Sequence, residues 1–186
     1  GIGVVRTDRV MILCGDTPLV RADDLRALLG ALGEHELCLM SALLDEPQGY
    51  GRVLRDGSGK VLEVREDRDL RSDAERAVRE VNAGVYVART AALRAALEGI
   101  TADNAAGEYY LTDIISMAVA EKVAIATRAP RDISEILGVN SKPELAQLER
   151  MHQKQQADRL MQQGVTLRDP ARLDVRGELT CGRDVV

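Results

Sequence analysis

The chain has 186 residues, 45% of them hydrophobic and 30% charged, with a formal net charge of −5, which suits one sizeable apolar core in an ordinary soluble protein. The mild acidity argues against nucleic acid as the main partner, because counterion release needs clustered Lys and Arg. No apolar run approaches the roughly 20 residues that span a bilayer, and no signal peptide opens the chain.

Three cysteines, Cys14, Cys38 and Cys181, form an odd set without CxxC spacing. That favours a reducing cytosol over a disulfide framework or a zinc site. The chain opens Gly1-Ile2-Gly3 and stops within a strand-like Val185-Val186, so both ends read as cut edges of a longer protein.

Val10 to Cys14 reads as a short buried strand ending in Gly15-Asp16. Leu25, Leu28, Leu29 and Leu32 then fall at helical spacing, with Asp23 or Asp24 as N-cap and Gly33 as a stop. A second strand follows over Leu37 to Leu43, and strand–helix–strand in this order predicts an α/β layer. Gly51 to Arg55 and Lys60 to Glu66 flank the turn Asp56-Gly57-Ser58-Gly59 and predict a hairpin. Residues 68–79 are polar and read as a solvated helix or loop.

Val81 to Val87 returns to strand, and Thr90 to Leu97 reads as a helix ending near Gly99. Thr112 is placed to cap a helix carrying Ile114, Ile115, Ala118 and Val119, ahead of a strand over Val123 to Thr127. Hairpins beside crossovers suggest a mostly parallel sheet with an antiparallel edge or flap. Ser141-Lys142-Pro143-Glu144 is a capping box with Pro in the first turn. It opens a long, mostly polar helix to about Gln163, a linking arm closed by Gly164. Val165 to Val186 reads as the start of a new β-domain.

Leu13-Cys14-Gly15-Asp16-Thr17-Pro18-Leu19 carries the most chemistry. Ligands gather at the carboxyl ends of strands in open α/β sheets, and Asp16 sits at one. A carboxylate there suits Mg²⁺, which takes one or two protein oxygens and keeps other positions for water and phosphate. It equally suits a cap on the following turn.

A strand ending Gly-Asp-x-Pro-Leu resembles the metal-binding strand of sugar nucleotidyltransferases. Gly49-Tyr50-Gly51-Arg52, Glu80-Val81-Asn82-Ala83-Gly84, Gly107-Glu108-Tyr109-Tyr110-Leu111-Thr112-Asp113 and Gly138-Val139-Asn140-Ser141 follow in order. With Arg168-Asp169-Pro170-Ala171-Arg172, they resemble bacterial bifunctional N-acetylglucosamine-1-phosphate uridyltransferases. The likeness covers roughly Asp8 to Val185.

This resemblance implies a partial Rossmann-like nucleotidyltransferase domain over 1–140, a linker helix over 141–164, and the start of a left-handed β-helix domain over 165–186. It implies that Asp16, the catalytic residue, and Asn140 hold a catalytic Mg²⁺. From the residues alone, Asn140 reads as a turn residue before a helix. Cys14 and Gly15 would border the substrate, and Gly51 would offer its backbone to the sugar, although it also serves as a turn glycine. Glu66 and Asn82 would bind the hydroxyls and amide of N-acetylglucosamine, a pairing that accepts from hydroxyls and donates to a carbonyl. Read by itself, Glu66 belongs to a solvated charged run. Asn82 lies in an apolar strand and needs a polar partner, which a ligand would supply. Tyr109, Tyr110 and Thr112 form a polar-aromatic lip. Cys14 stands where related enzymes carry Tyr, Ser or Asn.

The implied reaction joins UTP and N-acetylglucosamine 1-phosphate, giving UDP-N-acetylglucosamine and pyrophosphate in the cytoplasm of a parent that trimerises through its β-helix. It needs no protein nucleophile, consistent with a chain whose His35 and His152 lie in polar settings expected to be exposed. The family's Gly-rich nucleotide loop has no counterpart before Val10, so the chain alone is expected to have negligible activity. An unpaired sheet edge is expected beside Val10 to Cys14. The alternatives are a nucleotidyltransferase for another sugar 1-phosphate, or a non-catalytic sugar-phosphate-binding module.

Overall fold

The computed structural model describes all residues, Gly1–Val186, which group into two compact units. The first comprises Gly1–Gly15 and Val20–Ile136, the second Asp16–Leu19 and Leu137–Val186.

The first unit is a six-stranded sheet with helices on both faces. Its elements in chain order are β1 (Arg9–Ile12), α1 (Ala22–Leu32), β2 (Leu37–Leu43), β3 (Arg52–Arg55), β4 (Val61–Arg65), α2 (Asp73–Arg76), β5 (Glu80–Arg89), α3 (Thr90–Glu98), α4 (Asp113–Ala120) and β6 (Ile125–Arg128). The sheet order is β4-β3-β5-β2-β6, with β1 pairing the far end of β5 on the side that β3 occupies at its start.

Alternation along β2 and β5 builds the two faces, because successive side chains point oppositely. Cys38, Met40 and Ala42 join Val81, Ala83, Val85 and Val87 under Leu28 and Leu32 of α1. Leu37 and Leu39 join Tyr86 and Ala88 beneath Leu93 of α3 and Ile114 and Ile115 of α4. Burial on both faces explains why β2 reads as a continuous apolar run.

The α/β layering agrees with the sequence, but the sheet is mixed rather than mostly parallel in its pairing. Only β2 and β6 pair in parallel. The long excursion through the β3–β4 hairpin and α2 returns β5 between β1 and β2, antiparallel to both. β1 has a ladder partner on one side only.

The register of β2 against β5 breaks between Leu39 and Ser41, which face Tyr86 and Asn82. Three residues of β5, Ala83 to Val85, therefore stand opposite Met40 alone, and Gly84 adopts φ 71° at this bulge. A bulge re-aims the side chains beside it.

Several local expectations shift for stated reasons. Strand β1 stops at Ile12, leaving Leu13 and Cys14 beyond the ladder. Arg21 occupies the N-cap of α1, so Asp23 and Asp24 fall inside the first turn, where carboxylates favour the helix dipole. Thr112 makes no side-chain cap on α4 because its hydroxyl donates to Glu66 instead. His35 and His152 are half-buried rather than exposed; the His35 ring contacts the Ala124 carbonyl at 3.2 Å and His152 contacts Gln156.

The second unit is organised by α5 (Lys142–Gln162), whose N-cap Ser141 accepts from Glu144 N–H. The reciprocal arm of the box reaches one residue further back, Glu144 accepting from Asn140 N–H at 2.7 Å. Leu148, Gln153, Ala157 and Leu160 are its buried positions. Residues 165–186 contain no strand, only a 3₁₀ turn over Pro170–Arg172. They are fastened to α5 by Gln153, whose amide accepts from Val175 N–H at 2.8 Å and donates to Val175 C=O at 3.1 Å. A glutamine 2% exposed is thereby satisfied as a peptide group would be.

Candidate functional site

The first unit assembles its polar groups around the β3–β4 hairpin and the β5 bulge. Glu66 follows β4 and is half-buried rather than solvated. Its Oε1 accepts from Thr112 Oγ1 at 2.9 Å. Its Oε2 faces Gly51: a methyl group there would lie 3.3 Å from that oxygen and 3.1 Å from Val64 Cγ1. Gly51 therefore keeps open the space before the carboxylate. Burial raises the Glu66 pKa, the Thr112 hydroxyl opposes this, and Asp69, Asp113 and Asp67 raise it further.

Asn82 N–H donates to Gly51 C=O at 2.8 Å, joining the bulge to the hairpin. Its side chain finds partners in the protein: Nδ2 donates to Tyr86 Oη at 2.6 Å and Oδ1 accepts from Gly84 N–H at 3.1 Å. The Tyr86 hydroxyl is the residue that the sequence reading missed. The i, i+4 spacing along a strand, which places both on one face, was the available signal.

An open cleft of about 350 Å³ adjoins this cluster, lined by Gly49, Glu66, Asp67, Arg68, Ala106, Glu108 and Tyr110. Its size suits a small ligand, and its acids suit hydroxyl donors. Tyr110 lines it, whereas Tyr109 is 76% exposed. Arg52 is buried beneath, donating to Tyr50 C=O and pairing with Asp67 at 3.0 Å.

Cys14 lies exposed after β1, and its thiol contacts Gly84 C=O at 3.4 Å. A Cβ on Gly84 would stand 2.5 Å from Cys14 Sγ. Positive φ and close approach together require glycine there.

The second unit brings Asp16 and Asn140 together. Val139 N–H donates to Asp16 C=O at 2.9 Å. Both side chains face Gly138, where an added methyl would lie 3.4 Å from Asp16 Oδ2 and 3.9 Å from Asn140 Nδ2. The two side chains are exposed. A carboxylate and an amide carbonyl are hard oxygen donors, and a bare glycine between them leaves room for a hydrated cation. Nowhere do three or more His, Cys, Asp or Glu side chains gather as a metal cluster. No helix is long and apolar enough to cross a membrane.

The layered fold is shared with solved nucleotide-dependent enzymes. The CMP:2-keto-3-deoxy-manno-octonic acid synthetase complexed with CTP superposes with a TM-score of 0.58 at 16% identity, over 83% of this chain and 65% of that one. A Bacillus anthracis protein assigned provisionally as a glucose-1-phosphate thymidylyltransferase gives 0.56 at 17% identity, over 79% and 55%. At such identities the likeness concerns the fold, which is a Rossmann-like nucleotidyltransferase fold.

The sequence narrows this. The chain is 57% identical over 178 residues, 96% of its length, to the bifunctional protein GlmU of Azoarcus sp. strain BH72. It spans about two fifths of that protein, 39% of its length. No family model matches the chain.

Proposed function

We propose that the protein containing this chain transfers a uridylyl group from UTP to N-acetylglucosamine 1-phosphate, releasing pyrophosphate and forming UDP-N-acetylglucosamine in the cytoplasm. The observation that carries this reading is the convergence of Asp16 and Asn140 on Gly138, since nothing local in the sequence pairs an acid with an amide so far downstream. The likeness to GlmU supports the choice of substrates.

In this reading the sugar phosphate oxygen attacks the α-phosphorus in line, and catalysis consists of positioning and charge neutralisation. Asp16 and Asn140 would hold Mg²⁺, which when bound neutralises charge on the phosphate oxygens. Glu66 accepts a sugar hydroxyl through the oxygen that Thr112 leaves available. Gly51 gives the sugar access to the backbone, and Asn82 presents an amide already oriented by Tyr86 and Gly84. Cys14 spends its thiol on Gly84, so its own contribution to a nucleotide would come through the backbone. Residues 165–186 would lead into a β-helix through which the parent forms trimers.

The test uses full-length protein. Calorimetry with N-acetylglucosamine 1-phosphate, with and without Mg²⁺, should give binding that Glu66→Ala abolishes. UDP-N-acetylglucosamine formation should fail in Asp16→Ala. Wild-type rates in Asp16→Ala would refute the metal assignment, and preference for a different sugar 1-phosphate would refute the substrate. Sugar-phosphate binding without any transfer would favour a binding module.

A further inference from the structure

Two buried acids of the first unit take no part in the site described above. Asp24, in the first turn of α1, is 1% exposed, and Glu135, in a 3₁₀ turn over Ile133–Ile136, is 0% exposed. Each spends one oxygen on the other's chain segment. Asp24 Oδ1 accepts from Arg131 N–H at 3.1 Å, and Glu135 Oε2 accepts from Arg21 N–H at 3.1 Å. The remaining oxygens, Asp24 Oδ2 and Glu135 Oε1, are buried without a donor, and the Asp24 carboxyl raises the Glu135 pKa.

Two neighbouring carboxylates out of water repel, and two buried acceptors without a donor add a desolvation cost. A single proton removes both penalties, because a carboxyl donates through its O–H while the partner carboxylate accepts. The nearby cations compensate only in part: Arg131 Nε stands 3.9 Å from Asp24 Oδ1 on a side chain 61% exposed, and the Arg21 charge lowers the Glu135 pKa less than burial raises it. The other charged residues on the flanking segments are Arg21, Asp23 and Arg26 at the start of α1, Asp132 before the turn, and Arg128 at the exposed end of β6. Cys38, in the apolar cluster that also holds Leu28 and Ile136, stays a neutral thiol, its pKa pushed up to about 11 by burial. Burial raises the Glu135 pKa, the Arg21 N–H opposes this, and Asp24 raises it again.

We propose that Asp24 and Glu135 hold one proton between them at neutral pH, clamping the 131–136 segment to the first turn of α1. The shared proton is independent of the function proposed above. A proton held more tightly in the folded state contributes stability at low pH, and that contribution is lost as pH rises through the folded pKa. The clamp therefore loosens on the alkaline side.

Infrared difference spectroscopy of the full-length protein should show a protonated-carboxyl band at neutral pH. The band should vanish in Glu135→Gln, whose amide supplies a fixed donor. Its absence from the unaltered protein would overturn the proposal. Amide exchange at Arg21 and Arg131, corrected for intrinsic rates, should accelerate about tenfold with rising pH in the unaltered protein and stay flat in Glu135→Gln. Equal pH dependence in both would also overturn it. Glu135→Leu should lose that protection at every pH; if it fails to fold, the band and Glu135→Gln decide. Should Asp16→Ala leave transfer intact, the site reading falls while the infrared result still judges the proton.

Discussion

Glu66 and Asn82 are engaged by their own unit: one oxygen of the acid is bound to Thr112, and both ends of the amide are bound to Tyr86 and Gly84. Asp16 and Asn140 are exposed and meet only across a bare glycine. The first pair is preorganised, with its rotamers fixed before any ligand arrives. In the proposed function the second would leave its oxygens to a hydrated ion. Preorganised polar groups cost stability to bury and pay it back in orientation, whereas exposed ligands cost little until the ion binds.

The largest test of that contrast is Asp16→Ala. Removing one charge-stabilising group should lower turnover by about 10²–10³-fold, while an exposed side chain shifts stability by no more than about 0.5 kcal/mol. A matching loss of stability on urea unfolding would break the contrast. Gly84→Ala should do the reverse, because it strains a φ of 71° and drives a methyl against Cys14 Sγ. The expected destabilisation is about 1–3 kcal/mol. Cys14→Ala should recover the steric part in the double variant and leave the φ part.

Gln153→Leu should cost about 1–3 kcal/mol, because both backbone groups of Val175 lose their partner. The loss should appear as faster amide exchange in residues 165–186. Glu66→Gln is the smallest change in stability and the most informative. Thr112 can still donate to the amide oxygen, and the buried charge is gone. Because burial and neighbouring acids raise the Glu66 pKa, its carboxylate costs stability above that pKa, and the cost fades as pH falls toward the unfolded value of about 4.3. The variant should therefore match or exceed the parent's Tm at pH 7, lose that advantage near pH 4, and bind the sugar phosphate roughly tenfold more weakly.

The elements were legible where periodicity and punctuation agree. β2 and the hairpin around Asp56–Gly59 stand as read, because a doubly buried strand and a glycine turn each leave a local mark. What local patterns do not encode is which strands become neighbours, so the insertion of β5 between β1 and β2 changed the pairing. The bulge at Gly84 was hidden for the same reason, since it exists only relative to Met40 across the ladder. Thr112 misled because a hydroxyl before a helix caps by default, and here a carboxylate 46 residues earlier is the better acceptor. The strand-like alternation of residues 165–186 produced no strand.

The placement of the three thiols has a practical consequence. Cys38 is 0% exposed at the middle of the sheet, with its pKa pushed up to about 11, so an alkylating reagent that needs the thiolate reaches it only after the strands part. Cys14 is exposed and Cys181 partly so. Counting alkyl groups by mass over time would thus separate surface labelling from rupture of the central layer, turning one silent side chain into a clock for opening.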